Sequence, residues 1–466
     1  MPRTASPALS FALFAGLAFF AVAAFSPAIL NDSDTYWHIR AGEWMLAHGQ
    51  VLRADPFSYT SAGAPWQAQE WLAEIVMALA WRGARFPGGW PGIHLLFAAA
   101  IALAAGIAAH AVRKRLDTVP ALLTVVLGLA CVAGSLLARP HTLSLPLLAL
   151  WTAGLVAARE KNTPPGWWLI PVIPLWANLH GSFAFGLALA GALGAEAVLD
   201  SSDRKRTALR WGAFLAVAIA SAILTPFGVK TLLFPFHLLG MEQLTQIGEW
   251  QAADFSQLSP FPIALLATLF VLGMGKVRVT PFRLLILVGV IYMALAHGRH
   301  QMLAGIVAPL LLAPALGRAW PARADRTPAW LPMLAVLGFA ALLAARVAVP
   351  VTRGDDPMTP ATALAHVPRF IRQQPVLNDY AFGGYLIWNG DKPFIDSRAD
   401  LYGDIFLRNY QDITAPDRAA LESSLAYYHV RWTIFSARAP VVKLLDETPG
   451  WRRFYADRLA VVHVRD

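Results

Sequence analysis

A single cysteine, Cys131, stands in a chain of 466 residues. One thiol closes no disulfide, and it excludes both a disulfide-stapled fold and a cysteine-based zinc site. Charge is scarce too: Asp, Glu, Lys and Arg make up 14% of the residues, against about 25% in an ordinary soluble domain. With 57% hydrophobic residues, this composition excludes a disordered chain, which needs the opposite balance. The composition also argues against a soluble multidomain enzyme, because the apolar residues come in runs too long for a globular core. The mean hydropathy is +0.49. The remaining charge is lopsided, with 38 Lys and Arg against 29 Asp and Glu, a formal net charge of +9. In a soluble protein such an excess points to nucleic acid; here its position along the chain gives another answer.

A bilayer-spanning helix needs about 20 mostly apolar residues. Eleven segments fit: 8–30, 91–112, 119–138, 141–158, 166–179, 181–199, 208–225, 261–275, 282–297, 300–317 and 328–350. The segment 166–179 is short and carries Pro171 and Pro174, so it is the weakest of them. Trp71 to Trp81 is shorter still, with Glu70, Glu74, Arg82 and Arg85 around it, and reads as an amphipathic helix lying in the interface. In the first segment Ala21-Val22-Ala23 offers a signal-peptidase pattern. Apolar residues continue to Leu30, which suits an uncleaved anchor.

Short cytoplasmic loops are rich in Lys and Arg. With the N-terminus inside, every inside segment is basic: Arg3, Arg113 to Arg115, Arg159 with Lys161, Arg204 to Arg210, Lys276 to Arg283, and Arg318 to Arg326. The excess is therefore a topology signal. It predicts about eleven spans in a bacterial inner (plasma) membrane, an extracytoplasmic C-terminus, a membrane-lipid environment and no nucleic-acid partner.

That topology gathers the unusual polar residues on the outside. The first outside loop, 31–90, opens with Asn31-Asp32-Ser33-Asp34-Thr35-Tyr36-Trp37-His38. Later outside turns hold Arg139-Pro140-His141, Asn178-Leu179-His180-Gly181 and His297-Gly298-Arg299-His300. The loop 226–260 adds His237, Glu242, Glu249 and Asp254. Singly, each group has an ordinary reading as a solvated helix end, a snorkelling anchor or a satisfied turn. Five turns on one side make a shared site the stronger reading, since polar groups at membrane depth are costly and mark sites or pathways.

Two aspartates two residues apart suit two tasks. Asp34 can act as a general base on an acceptor hydroxyl. Asp32 can assist it, or the pair can hold a divalent cation of the magnesium or manganese class. Arg139 and Arg299, with His141, His297 and His300, suit an anionic phosphate leaving group. Asn178 and His180 would position the acceptor, and His38 is a further candidate for substrate binding.

On these residues the sequence resembles the GT-C superfamily of integral-membrane glycosyltransferases. The resemblance implies a sugar donor carried on a polyprenyl phosphate or diphosphate. It also implies an acidic residue early in the first outside loop, matched by Asp32 or Asp34. Ile39–His48 and Trp66–Arg85 look like that family's two interfacial helices. A closer similarity is to a group of bacterial polytopic membrane proteins of this type. It rests on Asp34-Thr35-Tyr36-Trp37-His38, Asp55-Pro56-Phe57-Ser58-Tyr59-Thr60, Glu70-Trp71-Leu72, Trp176 to Gly181 and Phe394 to Tyr402. The C-terminal part lacks the Trp-Trp-Asp signature of oligosaccharyltransferases. The first loop lacks the adjacent Asp-Glu pair of protein mannosyltransferases. The acceptor is left open as glycan, lipid or protein. Alternative readings are a transporter or flippase of lipid-linked glycans, which would need polar sites near the midplane, and an O-antigen ligase or polymerase, which would be rich in a late outside loop.

Beyond Pro350 the composition changes. Residues 355–466 hold 13 Lys and Arg and 14 Asp and Glu, with no span-length apolar run. Expected strands are Val376-Leu377, Lys392–Ile395, Arg431–Phe435 and Ala460–Val464; expected helices are Pro360–Gln373 and Ala415–Tyr428. This predicts an α-helical polytopic membrane protein over 1–354 and a small soluble α/β domain over 355–466. Asp379 to Tyr385, with paired glycines, and Asp396 to Asp400 follow strands, where α/β sheets bind ligands. Asp396 and Arg398 are thus candidates for substrate binding, with a structural ion pair as the alternative.

Overall fold

The computed structural model describes residues 4–83, 87–243, 248–323, 327–415 and 417–466. Arg3, Arg85 and Arg326, read above as topology or interface charges, lie outside the described residues. In chain order the α-helices are α1 (Pro7–Phe25), α2 (Asp34–His48), α3 (Trp71–Arg82), α4 (Gly89–Arg113), α5 (Thr118–Ala130), α6 (Pro140–Glu160), α7 (Val172–Leu179), α8 (Phe183–Asp200), α9 (Arg204–Ser221) and α10 (Val229–Leu239). There follow α11 (Pro260–Gly273), α12 (Pro281–Ala296), α13 (Gln301–Ala319), α14 (Trp330–Ala348), α15 (Ala361–His366), α16 (Arg369–Arg372), α17 (Gly383–Trp388), α18 (Ala399–Thr414), α19 (Arg418–Tyr427) and α20 (Val441–Glu447).

The chain divides into two compact units. The first holds Met1–Ile29, Pro91–Pro235 and Thr245–Pro350, and the second Leu30–Trp90, Phe236–Leu244 and Val351–Asp466. This differs from the expected boundary. Residues 31–90, counted above with the membrane part, share a unit with the C-terminal residues, because Thr60 bonds to the Phe394 carbonyl, Trp66 to the Asp400 side chain and Asp55 to the Arg398 side chain.

The first unit is helical. All eleven apolar segments of the sequence are helical over most of their length. Among the described residues seven helices are long and apolar enough to cross a membrane, and Trp167–Leu179, Val229–Leu239, Pro260–Gly273 and Pro281–Ala296 are shorter apolar helices. Proline starts α6, α11 and α12 at their first turns, where its missing N–H would have no partner anyway. The core gathers Trp151, Leu155, Trp176, Phe183, Phe214 and Leu310. Close crossings use small residues: a methyl on Gly305 would stand 2.4 Å from the Gly128 carbonyl oxygen. At one end, Glu196 of α8 takes both Arg159 of α6 (3.1 Å) and Arg283 of α12 (2.6 Å). The three helix ends there belong to the predicted basic, inside face.

The second unit is α/β. Its sheet has strands β1 (Val376–Asn378), β2 (Trp432–Ser436), β3 (Trp451–Ala456) and β4 (Ala460–Arg465), in the order β1-β2-β4-β3. β1 and β2 run parallel; β2 with β4 and β4 with β3 are antiparallel. Apolar side chains of Val376, Trp432, Ile434, Val462 and Val464 build the core with Leu364, Phe382 and Leu386. α2 and α3 form a close pair, where a methyl on Gly42 would meet the Glu74 carbonyl oxygen at 2.0 Å.

The expected strand Lys392–Ile395 does not form. The Asn378 side chain takes its backbone instead, accepting from Phe394 N (2.8 Å) and donating to the Ile395 carbonyl (2.9 Å). Strand β3 escaped the sequence reading because Arg452 and Arg453 are exposed and break the apolar run.

Candidate functional site

In the second unit α2 begins at Asp34, whose carboxylate sits at the positive end of the helix. Asp32 accepts from the Asp34 backbone N–H (2.8 Å), so it fixes the turn that presents Asp34. Asp34 Oδ1 accepts from Ser397 Oγ and from Ser33 Oγ, the latter at 3.3 Å. Trp37 Nε1 in turn donates to Ser397 Oγ (2.9 Å). Asp34 is 3% exposed. A methyl on Gly384 would lie 2.2 Å from the Ser33 carbonyl oxygen, and one on Gly383 would lie 2.3 Å from that of Ile395. The paired glycines thus serve close backbone packing that seats Asp34 beside Ser397, rather than a ligand-binding turn.

One turn along α2, His38 Nδ1 lies 3.2 Å from Glu74 Oε1, and Nε2 lies 3.8 Å from Glu70. Burial, and then the nearby Glu70, push the Glu74 carboxyl well above its usual range. His38 therefore faces α3 in a buried pair.

Asp396 and Arg398, expected to bind substrate, are sealed: neither side chain has any exposure. Arg398 bridges Asp396 (2.6 Å) and Asp55 (2.6 Å). Tyr402 also donates to Asp396 (2.8 Å), and Trp66 lies 4.9 Å below the guanidinium. Burial works against the Arg398 charge, but Asp396 and Asp55 hold its pKa well above the usual value. The structural ion pair, the alternative reading, is what the second unit contains: a clasp between the first loop and the C-terminal residues.

In the first unit, four of the five expected outside segments meet at the end opposite Glu196. Glu249 accepts from Arg139 Nη1 (3.0 Å) and from Arg299 Nη1 (3.2 Å). Burial would raise the Glu249 carboxyl, but the two guanidinium groups hold it down at about 2. Arg299 also lies 4.4 Å over the Trp250 ring. His141 and His180 face each other with ring centres 6.1 Å apart. His141 Nε2 donates to the Ser135 carbonyl (2.7 Å), and His180 Nδ1 accepts from Ser182. His297 Nδ1 donates to the Trp250 carbonyl (2.7 Å), and its ring lies 5.3 Å from that of His300. A cavity of about 280 Å³ opens here, lined by Ser135, His141, Glu249, Arg299 and Gln301.

Asn178, expected to position an acceptor, spends its amide protons on the Pro174 (2.7 Å) and Leu224 (3.0 Å) carbonyls; it ties α7 to the end of α9. Glu249 was missed as a site residue. It stood in the sequence as one of several ionisable residues in the loop 226–260, and no spacing set it apart. Among the described residues no group of three or more His, Cys, Asp and Glu side chains is placed to hold a metal ion. Asp32 and Asp34 remain the acidic pair.

No protein-family model matches the chain, and no curated protein matches it by sequence. Solved structures do match. The archaeal oligosaccharyltransferase AglB from Archaeoglobus fulgidus, in complex with an inhibitory peptide and a dolichol-phosphate, is 13% identical; the match covers 92% of this chain and 69% of that one, with a TM-score of 0.53. An Archaeoglobus fulgidus oligosaccharyltransferase in complex with Zn and sulfate is 11% identical over 91% of this chain and 68% of that one, with a TM-score of 0.43. The chain is thus similar in fold to an archaeal oligosaccharyltransferase.

Proposed function

We propose that this protein transfers a sugar from a polyprenyl-phosphate-type lipid donor to an extracytoplasmic acceptor. The observation that carries this reading is the convergence of Arg139 and Arg299 on one carboxylate, beside a cavity that His141 lines. Paired guanidinium groups in a partly desolvated site suit a phosphate, which offers several charged acceptors at once. Glu249 occupies that anion position when no donor is bound. The fold likeness supports the same class, since the neighbouring AglB structure holds a dolichol-phosphate.

Asp34 would take the proton from the acceptor hydroxyl as its oxygen attacks the anomeric carbon. The bond between that carbon and the phosphate oxygen breaks, and polyprenyl phosphate leaves with inversion at the sugar. Ser397 and Trp37 would orient the Asp34 carboxylate, and Asp32 its backbone. Asp32 and Asp34 would hold a divalent cation, whose chemistry would be to neutralise phosphate charge. The reading includes eleven spans, a cytoplasmic N-terminus and an extracytoplasmic C-terminal part in a bacterial inner membrane, supported by the basic inside segments.

The test is donor binding by protein reconstituted in nanodiscs, with polyprenyl phosphate as probe. Removing both Arg139 and Arg299 should weaken binding by at least about tenfold, since one charge-assisted hydrogen bond is worth ~1.5–3 kcal/mol. Unchanged binding would overturn the phosphate assignment.

A further inference from the structure

We infer that the second unit carries a binding pocket for neutral saccharides between α18 and α19. A cavity of about 510 Å³ opens there, within the range of small-molecule sites, about 300–1,000 Å³. Its walls alternate ring faces with polar side chains. Tyr427 is 77% exposed, a large apolar face left in water. Its ring lies 4.8 Å from that of Tyr428 at 83°, and Tyr428 rests edge-on against Phe394 at 4.8 Å. The exposed platform is therefore braced from behind. Tyr410 is locked too: its hydroxyl donates to the Asn378 carbonyl (3.1 Å) and accepts from Tyr380 N–H (2.9 Å).

Asn409 and Asp412 stand on the same face of α18, three residues apart, and line the cavity. Both are exposed, and among the described residues neither makes a side-chain hydrogen bond within the protein. The Tyr427 and Tyr428 hydroxyls are likewise uncommitted among the described residues. This supplies amide, carboxylate and phenol groups around aromatic faces.

A pyranose has the complementary pattern. Its C–H faces lie flat on an aromatic ring, and its hydroxyls both donate and accept around the edge, which amide and carboxylate groups can meet. Among the described residues no Lys or Arg lines the cavity, and Asp412 does. That disfavours phosphorylated or acidic sugars and favours neutral or amino sugars. An extended peptide would need a free strand edge to pair with, whereas this cavity lies between two helices.

The test uses the full chain in nanodiscs and a panel of probes: maltotriose, cellotriose, mannotriose, chitotriose and an unfolded casein peptide. Binding is read by saturation-transfer NMR and calorimetry. One or more trisaccharides should bind. Tyr427→Ala should weaken that binding about tenfold, the ~1.4 kcal/mol equivalent of losing one stacked face, and Tyr427→Phe should retain it. Asp412→Ala should weaken it as well. Tyr427 lies at the surface, so an unchanged circular dichroism spectrum verifies folding of its variants. Absence of binding by all four sugars, binding indifferent to Tyr427→Ala, or Tyr427-dependent capture of the peptide in place of sugar would each overturn the inference. The readout needs no sugar transfer, so its failure and that of the proposed activity are distinguishable.

Discussion

Glu249 is the residue on which the phosphate reading turns. Its carboxylate is shared by Arg139 and Arg299, so under the proposed function an incoming phosphate would compete with it for both. Glu249→Gln should tighten polyprenyl-phosphate binding at low ionic strength, measurable by the same nanodisc titration. Because its pKa is depressed to about 2, the stabilisation it gives is complete above the unfolded value of about 4.3. It is lost as the pH falls through about 2, and should be flat from pH 5 to 8. Glu74 has the opposite sign. Burial raises its pKa, so above the unfolded value the folded state keeps a proton to higher pH than the unfolded chain does. Its contribution is full below about pH 4.3 and shrinks as pH rises toward the folded value. Glu74→Gln should flatten that slope in thermal melts between pH 5 and 8. In the sealed clasp, Arg398→Met leaves Asp55 and Asp396 buried without their cation and should cost about 3–5 kcal/mol, read as a large fall in melting temperature. At this scale the sequence made the acidic pair legible, because position after the first apolar run singles out Asp32 and Asp34. Arg398 carried no such mark. An arginine beside two aspartates has the same signature whether it binds a ligand or closes a core, and burial alone separates the two.

Among the elements, α2 and α17 hold the second unit's candidate base in place. Gly384 lets α17 approach Ser33 within contact distance, and so fixes Ser397 near Asp34. Gly384→Ala should force the two apart, at a cost of about 1–3 kcal/mol for an added methyl in packed structure. Transfer should fall further than stability does, as a stability curve measured beside an activity assay would show. The glycine pair was visible in the sequence, but its reason was not, since a tight turn and a close helix contact ask for the same residue. The lost strand at 392–395 teaches a related lesson. Its β-like residues are satisfied by one asparagine side chain from a distant segment, and such a partner leaves no local pattern. The span-length helices of the first unit were more legible, because long apolar runs and their proline starts are local properties.

For the whole molecule, two sequence-wide patterns carried most of the information. Apolar runs marked the helices of the first unit, and the placement of Lys and Arg turned a net charge of +9 into an expected orientation. The likeness in fold to the archaeal enzyme spans 92% of the chain at 13% identity, so architecture persists where residue matches do not. The boundary between units was not legible, since the contacts that join 31–90 to 351–466 link segments hundreds of residues apart. The account's central claim is catalytic. Wild-type protein and Asp34→Asn, reconstituted with a labelled polyprenyl-phosphate hexose and cell-envelope acceptors, are compared for release of free polyprenyl phosphate. The account predicts acceptor-dependent release by the wild type and a loss of about a hundredfold or more in Asp34→Asn, the scale of a general base, with donor binding retained. Release by Asp34→Asn at the wild-type rate would contradict it.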